Sequence, residues 1–332
     1  MKKFLKIISM VLVAVALLTI VVMLRFWWLQ RSQPEVIGVS FSQVQAERYG
    51  SDWRANYTAL LDDLGFRHIR VAAYWDRIEP QPGQYDFTET DYMIAEAKKR
   101  SAKITLIVGQ KTIRVPECYY PGWLDKNNAS EVKTEANKML AVVVERYKNE
   151  PTVEAWQVEN EFLLRSFGDC PAQNLTNDAL ADELKTVQSR DTSRPIIITQ
   201  SDQIGWPIRG PFANIYGFSM YRWVWGKFGY YRYPQSGIYN LFKAAVINFY
   251  TGQQVKVHEL QAEAWDKTGN ESLEFERSQA TMNPTQLLEN IEYARQTQIK
   301  RIDLWGSEWW YALQQQGHDE MWQAVKQLPN KD

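Results

Sequence analysis

The chain has 332 residues, long enough for one α/β barrel of about 250 residues with further chain ahead of it. Hydrophobic residues make up 45% and charged residues 23%, the proportions of an ordinary globular protein, so disorder is not the default. Lys+Arg 38 against Asp+Glu 39 gives a net charge of -1, so there is neither the basic excess of a nucleic-acid binder nor an acidic tail.

The first element is an uncharged apolar run from Ile7 to Leu24. At about 18 residues it reaches the lower limit for a helix that spans a bilayer core. Lys2, Lys3 and Lys6 precede it, which points to a cytoplasmic N-terminus and an exported remainder; Phe26, Trp27 and Trp28 follow it as an interfacial aromatic belt. A cleaved signal peptide is the competing reading, but it would have a shorter apolar stretch ending in small residues, and here the run ends in Leu24-Arg25-Phe26-Trp27-Trp28. The division expected is therefore residues 1–6 cytoplasmic, 7–24 a retained signal anchor, 25–35 a juxtamembrane linker and 36–329 the extracytoplasmic domain.

From Val36 onward, short β-branched runs alternate with longer amphipathic stretches, the pattern of successive βα units. Strands are predicted at 36–41, 68–72, 104–108, 155–159, 195–199, 215–219, 255–259 and 302–305. Helices are predicted at 53–64, 91–99, 130–148, 178–189, 239–250 and 285–296. Eight strands with intervening helices favour a single closed (β/α)8 TIM barrel over an open sheet. The sequence has no GxGxxG or GxxxxGK[ST] phosphate loop, so no nucleotide partner is expected.

Barrel chemistry collects at the carboxyl ends of the strands. The fourth strand runs into Glu159-Asn160-Glu161, and the seventh ends Val255-Lys256-Val257-His258-Glu259. Period-two alternation puts Val255, Val257 and Glu259 on one face and turns His258 toward the helices. Two carboxyls on facing walls would flank one scissile bond, one giving a proton and the other attacking, as glycoside hydrolysis requires. Taken alone, such a pair is more often a structural ion pair.

The aromatic content of 13%, with 14 Trp and 17 Tyr, is high. Many of these rings fall in expected loops: Tyr119, Tyr120, Trp123, Trp206, Tyr221, Trp223, Trp225, Tyr230, Tyr231 and Tyr233. Such rings suit the flat C–H faces of sugars, although core packing also employs them. Cys118 and Cys170 are the only cysteines, an even pair compatible with one disulfide bracing the loops after strands three and four. The three histidines, His68, His258 and His318, show no metal-ligand spacing, and neither a metal nor an organic cofactor is expected. Sequons at Asn56, Asn128, Asn174 and Asn270 read as chance occurrences.

The string Trp156-Gln157-Val158-Glu159-Asn160-Glu161-Phe162 resembles the strand-four signature of clan A glycoside hydrolases, nearest the β-galactosidases of family 42, which have aspartate where Glu159 stands. The segment from Trp75 to Phe87, WDRIEPQPGQYDF, is similar to the stretch after strand two in that family and in xylanases, and Gly252–Glu259 is similar to the approach to the strand-seven nucleophile. The resemblance spans roughly residues 36 to 312 and implies a retaining β-glycosidase with Glu161 as acid/base and Glu259 as nucleophile. It also implies supporting, substrate-binding roles for Arg70, Asn160, Tyr221 and Trp305. Asn160 would bond the sugar 2-hydroxyl, Arg70 and Tyr221 would hold the nucleophile, and Trp305 would form a floor under the sugar. Glu263 is either a hydroxyl-binding residue on the loop beyond Glu259 or the nucleophile itself. The partner expected is an extracytoplasmic oligo- or polysaccharide. The alternatives left open are an inactive, membrane-anchored carbohydrate-binding barrel and a transglycosidase.

Overall fold

The computed structural model describes residues 1–165, 168–201, 210–226, 229–265 and 278–331. Eight parallel strands close a TIM barrel in the order β1 (Val36–Phe41), β2 (His68–Ala72), β3 (Lys103–Val108), β4 (Val153–Val158), β5 (Ile196–Gln200), β6 (Ile215–Met220), β9 (Gln254–Gln261) and β10 (Arg301–Trp305), which returns to β1. Between β6 and β9 the chain inserts an antiparallel hairpin, β7 (Trp223–Gly226) and β8 (Gly229–Arg232). Trp223, Trp225, Tyr230 and Tyr231, expected on a loop, therefore belong to strands. Trp206 and Asn270 lie outside the described residues.

The outer layer comprises α3 (Trp53–Asp62), α5 (Thr88–Lys99), α6 (Ala129–Tyr147), α7 (Asn177–Arg190), α8 (Gly237–Thr251), α9 (Pro284–Arg295) and α10 (Ser307–Gln315), with shorter helices α2 (Gln43–Arg48), α4 (Trp75–Ile78) and α11 (Glu320–Lys326). Local chemistry sets several helix starts. The side chains of Asp52, Asn128, Thr176, Ser236 and Asn283 each accept a bond from a first-turn N–H, and Pro284 sits where its missing N–H costs nothing. The four helices α2, α4, α10 and α11 were not legible as periodic segments; the two shortest, α4 and α2, have only 4 and 6 residues.

Along each strand one parity faces the helices and the other faces the barrel axis. Ile37, Val39, Phe41, Ile69, Val71, Leu106, Val108, Trp156, Val158, Tyr216 and Phe218 join the core between strands and helices. Ser40, Arg70, Gln157, Gly217 and Ser219, of opposite parity, turn inward. The arrangement leaves a polar axis inside an apolar jacket.

Ahead of the barrel, α1 (Lys2–Gln30) is a 29-residue helix, long and apolar enough to cross a membrane. Its side chains are mostly exposed up to Leu18, whereas Val22 and Phe26 are buried against the barrel. Arg25 Nη1 donates to Asn248 Oδ1 of α8 at 2.8 Å.

Candidate active site

The residues singled out at the ends of β4 and β9 meet at the carboxyl end of the barrel. Arg70 organises them from β2. All five of its N–H groups are used: Nε donates to Gln157 Oε1 (2.8 Å), Nη1 to Ser40 Oγ (2.8 Å) and the His258 carbonyl (2.9 Å), and Nη2 to Asn160 Oδ1 (2.5 Å) and Glu259 Oε1 (3.0 Å). A fixed fork that reaches β1, β4 and β9 at once can only lie across the axis. The Arg70–Glu259 pair is almost wholly withdrawn from water, with side chains 1% and 5% exposed. On the other side of Glu259, the Tyr221 hydroxyl donates to Oε2 at 3.0 Å. Burial, then the charges of Glu259, Glu263 and Glu161, hold the Tyr221 hydroxyl well above the usual phenol range, so it retains the proton it donates.

Glu161 follows β4 in a left-handed backbone conformation, φ 47°, and Glu159 just before it has φ 63°. Positive φ at two non-glycine residues on one strand end costs of order 1–3 kcal/mol each and persists only where the surroundings impose it. Here they do. The Glu159 carboxylate accepts from the backbone N–H of Gln110 (2.8 Å) and of Lys111 (2.6 Å). Gly109 permits this approach: its φ is 137°, and a Cβ there would stand 2.1 Å from Glu159 Oε1. The Glu161 N–H then donates to Thr199 Oγ1 (2.9 Å), while its carbonyl accepts from Lys111 Nζ (2.9 Å). Ser219 Oγ donates to Glu161 Oε1 at 2.9 Å. Burial is the largest influence on this carboxyl, followed by the charges of Glu259 and Glu117; together they hold it well above the usual carboxylate range despite Lys111. Glu161 therefore favours its protonated form more than an ordinary carboxyl does, beside an ion-paired Glu259.

Strict alternation predicts that His258 faces the helices and that Val255, Val257 and Glu259 share a face. The structure overturns both. Phe218 pairs with Val257 but the next residue, Ser219, pairs with Glu259, and on the other side Ile302 pairs with Val257 while Leu304 pairs with Leu260. One extra residue therefore sits in β9 relative to both neighbours, a β-bulge at His258–Glu259. Val255 and Val257 pack into the outer core, whereas Lys256 turns inward to Asp303 at 2.6 Å. After the bulge both His258 and Glu259 point to the axis. His258 Nε2 lies 3.5 Å from Glu259 Oε1 and 3.7 Å from Glu161 Oε1, and one atom from each of the three side chains falls within 4.8 Å of the others. Gly217 makes room for the ring, since a Cβ there would stand 3.0 Å from His258 Cβ and 2.9 Å from Thr199 Cγ2. Burial, with Arg70 and Lys256 nearby, pushes His258 well below its ordinary titration range, so the imidazole is neutral.

Glu263 lies past the end of β9, 1% exposed. It receives Arg114 Nη1 (2.6 Å) and Trp305 Nε1 (2.7 Å), and Arg114 also pairs with Glu308. The Arg114 guanidinium lies 4.1 Å from the Trp305 ring centroid, so one face of the ring expected to floor a sugar is covered by a cation. Arg114 comes from the segment Gln110–Cys118, which folds over the barrel mouth with Ile113 and Lys111 fully buried. Lys111 Nζ pairs with Glu117 at 2.9 Å. Cys118 is disulfide-bonded to Cys170, which joins the loops after β3 and β4.

Sequence reasoning missed Lys111, Arg114, Glu117, Thr199, Ser219 and Glu308. Ser219 and Thr199 had a usable signal, because each stands at a strand end with inward parity; the others reach the site only through loop folding. Asn56 and Asn174 are buried and Asn128 caps α6, so these three sequons lie in structural positions.

No family model matches the chain. In sequence it is similar to the β-galactosidase BgaA of Clostridium cellulovorans, 26% identical over 184 residues that cover 47% of this chain and 27% of the relative. The β-galactosidase LacZ of Lactobacillus acidophilus is 22% identical over 204 residues, covering 51% of this chain and 28% of the relative. The chain thus spans under a third of the length of these curated relatives. Among solved structures, the exo-β-1,4-mannosidase Op5Man5 from Opitutaceae bacterium strain TAV5 shares the fold at a TM-score of 0.55 and 16% identity, covering 82% of this chain and 51% of its own. The intracellular xylanase TsXylA of Thermoanaerobacterium saccharolyticum does so at 0.52 and 14%, covering 83% and 90%. Resemblance to the clan A (β/α)8 glycoside hydrolases therefore holds in both sequence and architecture.

Proposed function

We propose that this protein is a retaining glycoside hydrolase in which Glu161 is the acid/base and Glu259 the nucleophile. The observation that carries the reading is the closeness of the two carboxyls, with one oxygen of each within 4.8 Å of the other. Double displacement uses carboxyls about 5–5.5 Å apart, whereas inversion needs about 6.5–9.5 Å to admit a water. The electrostatic division points the same way: burial and neighbouring carboxyls hold Glu161 above the usual carboxylate range, and Glu259 is paired with Arg70 and bonded by Tyr221. A Glu259 oxygen attacks the anomeric carbon as the bond to the leaving oxygen breaks and Glu161 gives that oxygen its proton. Water, losing a proton to Glu161, then cleaves the glycosyl ester and frees Glu259. Asn160, held by Arg70 and by Gln157 Nε2 (3.1 Å), would bond the sugar 2-hydroxyl. Glu263, already bonded to Arg114 and Trp305, fits a binding role.

The β-galactosidase matches and the strand-four string favour a β-glycoside substrate, and the apolar α1 favours a tethered enzyme with its barrel outside the cytoplasm. The burial of Val22 and Phe26 against the barrel supports retention of that helix, since cleavage would uncover the surface beneath them. The deciding experiment incubates the full chain with 2-deoxy-2-fluoro glycosides bearing good leaving groups, galactosides, mannosides, glucosides and xylosides among them, and locates any adduct by peptide mass. A stable adduct on Glu259 is expected. An adduct on Glu263 would reassign the nucleophile, and inversion of the product anomer would refute double displacement.

A further inference from the structure

The helix that receives α1 is unlike the other long helices of the barrel. Over its 15 residues, GIYNLFKAAVINFYT, α8 carries a single charged residue, Lys243, and that one is buried. By contrast α5 and α6 carry acidic residues in the first turn and basic residues in the last. A surface helix normally shows charge on its outer face. The outward positions of α8 are instead apolar or aromatic: Ile238, Phe249 and Tyr250 are 61%, 57% and 67% exposed.

The position of two of these rings along the anchor is fixed by Arg25, the first residue past the apolar run, which bonds Asn248. Phe249 and Tyr250 follow Asn248 at a rise of about 1.5 Å per residue, so they stand at the level where the span ends. Trp27 and Trp28, 43% and 56% exposed, occupy the same level on α1. Aromatic rings collect at the headgroup layer, where an apolar body and a polar edge are both satisfied.

We infer that the outer face of α8, continuous with the base of α1, is a lipid-contacting surface that seats the barrel on the bilayer. This rests on the reading of α1 as a retained anchor and adds an orientation to it. The C-terminal end of α8 leads through Gly252 directly into the amino end of β9, whereas Glu161 and Glu259 lie toward the carboxyl ends of the strands. Seating Phe249 and Tyr250 in the headgroups therefore turns the mouth of the barrel away from the membrane, toward substrate in the surrounding space.

The test uses the full chain in phosphatidylcholine vesicles. Both native cysteines are in the disulfide, so a fluorophore can be attached to a single new cysteine at Phe249→Cys, Tyr250→Cys, Val13→Cys or Lys126→Cys. Lys126 is exposed in the loop after β3, on the side of the site. Quenching by lipids carrying a nitroxide near the headgroup is expected to be at least about two-fold stronger at positions 249 and 250 than at 126. The Val13 probe should be quenched by a nitroxide deep in the acyl chains. Strong quenching at 13 with no excess at 249 and 250 would overturn the seating while leaving the anchor intact. Absence of quenching at 13 would overturn both. The two α8 positions are both exposed and serve as independent replicates should one variant fold poorly.

Discussion

Replacing Arg70 by leucine tests the organisation of the site most directly. The substitution removes five donors at once and leaves Glu259 as a buried carboxylate without its cation. Breaking a buried pair from one side costs about 3–5 kcal/mol, because the remaining charge stays desolvated. Domains of this kind hold about 5–15 kcal/mol in total, so the loss is about a fifth of the whole or more. At roughly 2–4 °C per kcal/mol, the midpoint should fall by about 6–20 °C. Glu259→Leu strands Arg70 in the same way, whereas the double variant removes both charges. If the pair is the cause, the double variant is less destabilised than the sum of the singles by about 2–3 kcal/mol. Urea denaturation of the full chain in detergent, followed by tryptophan fluorescence, measures all four proteins. A loss below about 1 kcal/mol for Arg70→Leu, or simple additivity, would refute the reasoning.

Tyr221→Phe removes one bond to Glu259 without removing a charge; a bond of this kind contributes about 1.5–3 kcal/mol to stability, so the melting temperature should fall by about 3–12 °C and turnover should fall with it, and an unchanged rate would count against Tyr221 as a positioning group. Cys118→Ser/Cys170→Ser opens a 52-residue loop; the chain-entropy relation gives a loss of about 4 kcal/mol, measurable by the same denaturation, and the loss should be matched by dithiothreitol treatment of the wild type. Glu183, which shares its site with Glu159 and Gln110, is raised by burial to about 7 against an ordinary 4.5. The folded protein keeps this proton between those values and the unfolded chain does not, so stability should decline as pH rises from 4.5 through 7, by up to about 3 kcal/mol. Glu183→Gln should flatten that decline, and an equally steep pH dependence in the variant would exclude Glu183 as its source.

Much of the architecture was legible because it follows from short-range patterning. Runs such as Val36–Phe41 and His68–Ala72 are strands whose outward residues, Ile37, Val39, Phe41, Ile69 and Val71, are apolar, and the eight predicted runs correspond to the eight barrel strands. Strand ends locate barrel chemistry, so Glu161 and Glu259 could be singled out before any contact was known, whereas Arg70 and Asn160 were singled out by the family resemblance. The apolar run from Ile7 to Leu24 declares its helix by composition alone.

What the tertiary structure decided concerns registration and loop folding. The bulge in β9 exists only relative to β6 and β10; nothing within Val255–Glu259 distinguishes it from a regular strand, yet it brings His258 to the axis and moves Val255 and Val257 to the outer core. Arg114, Lys111 and Glu117 enter the site because the segment Gln110–Cys118 turns back over the barrel and is tied down at Cys170. The upward shift of the Glu161 carboxyl arises from burial beside Glu259 and Glu117, groups distant in sequence. Propensity and periodicity are properties of neighbours along the chain, and they determined the elements. Desolvation, charge coupling and strand register are properties of neighbours in space, and they determined what the elements hold.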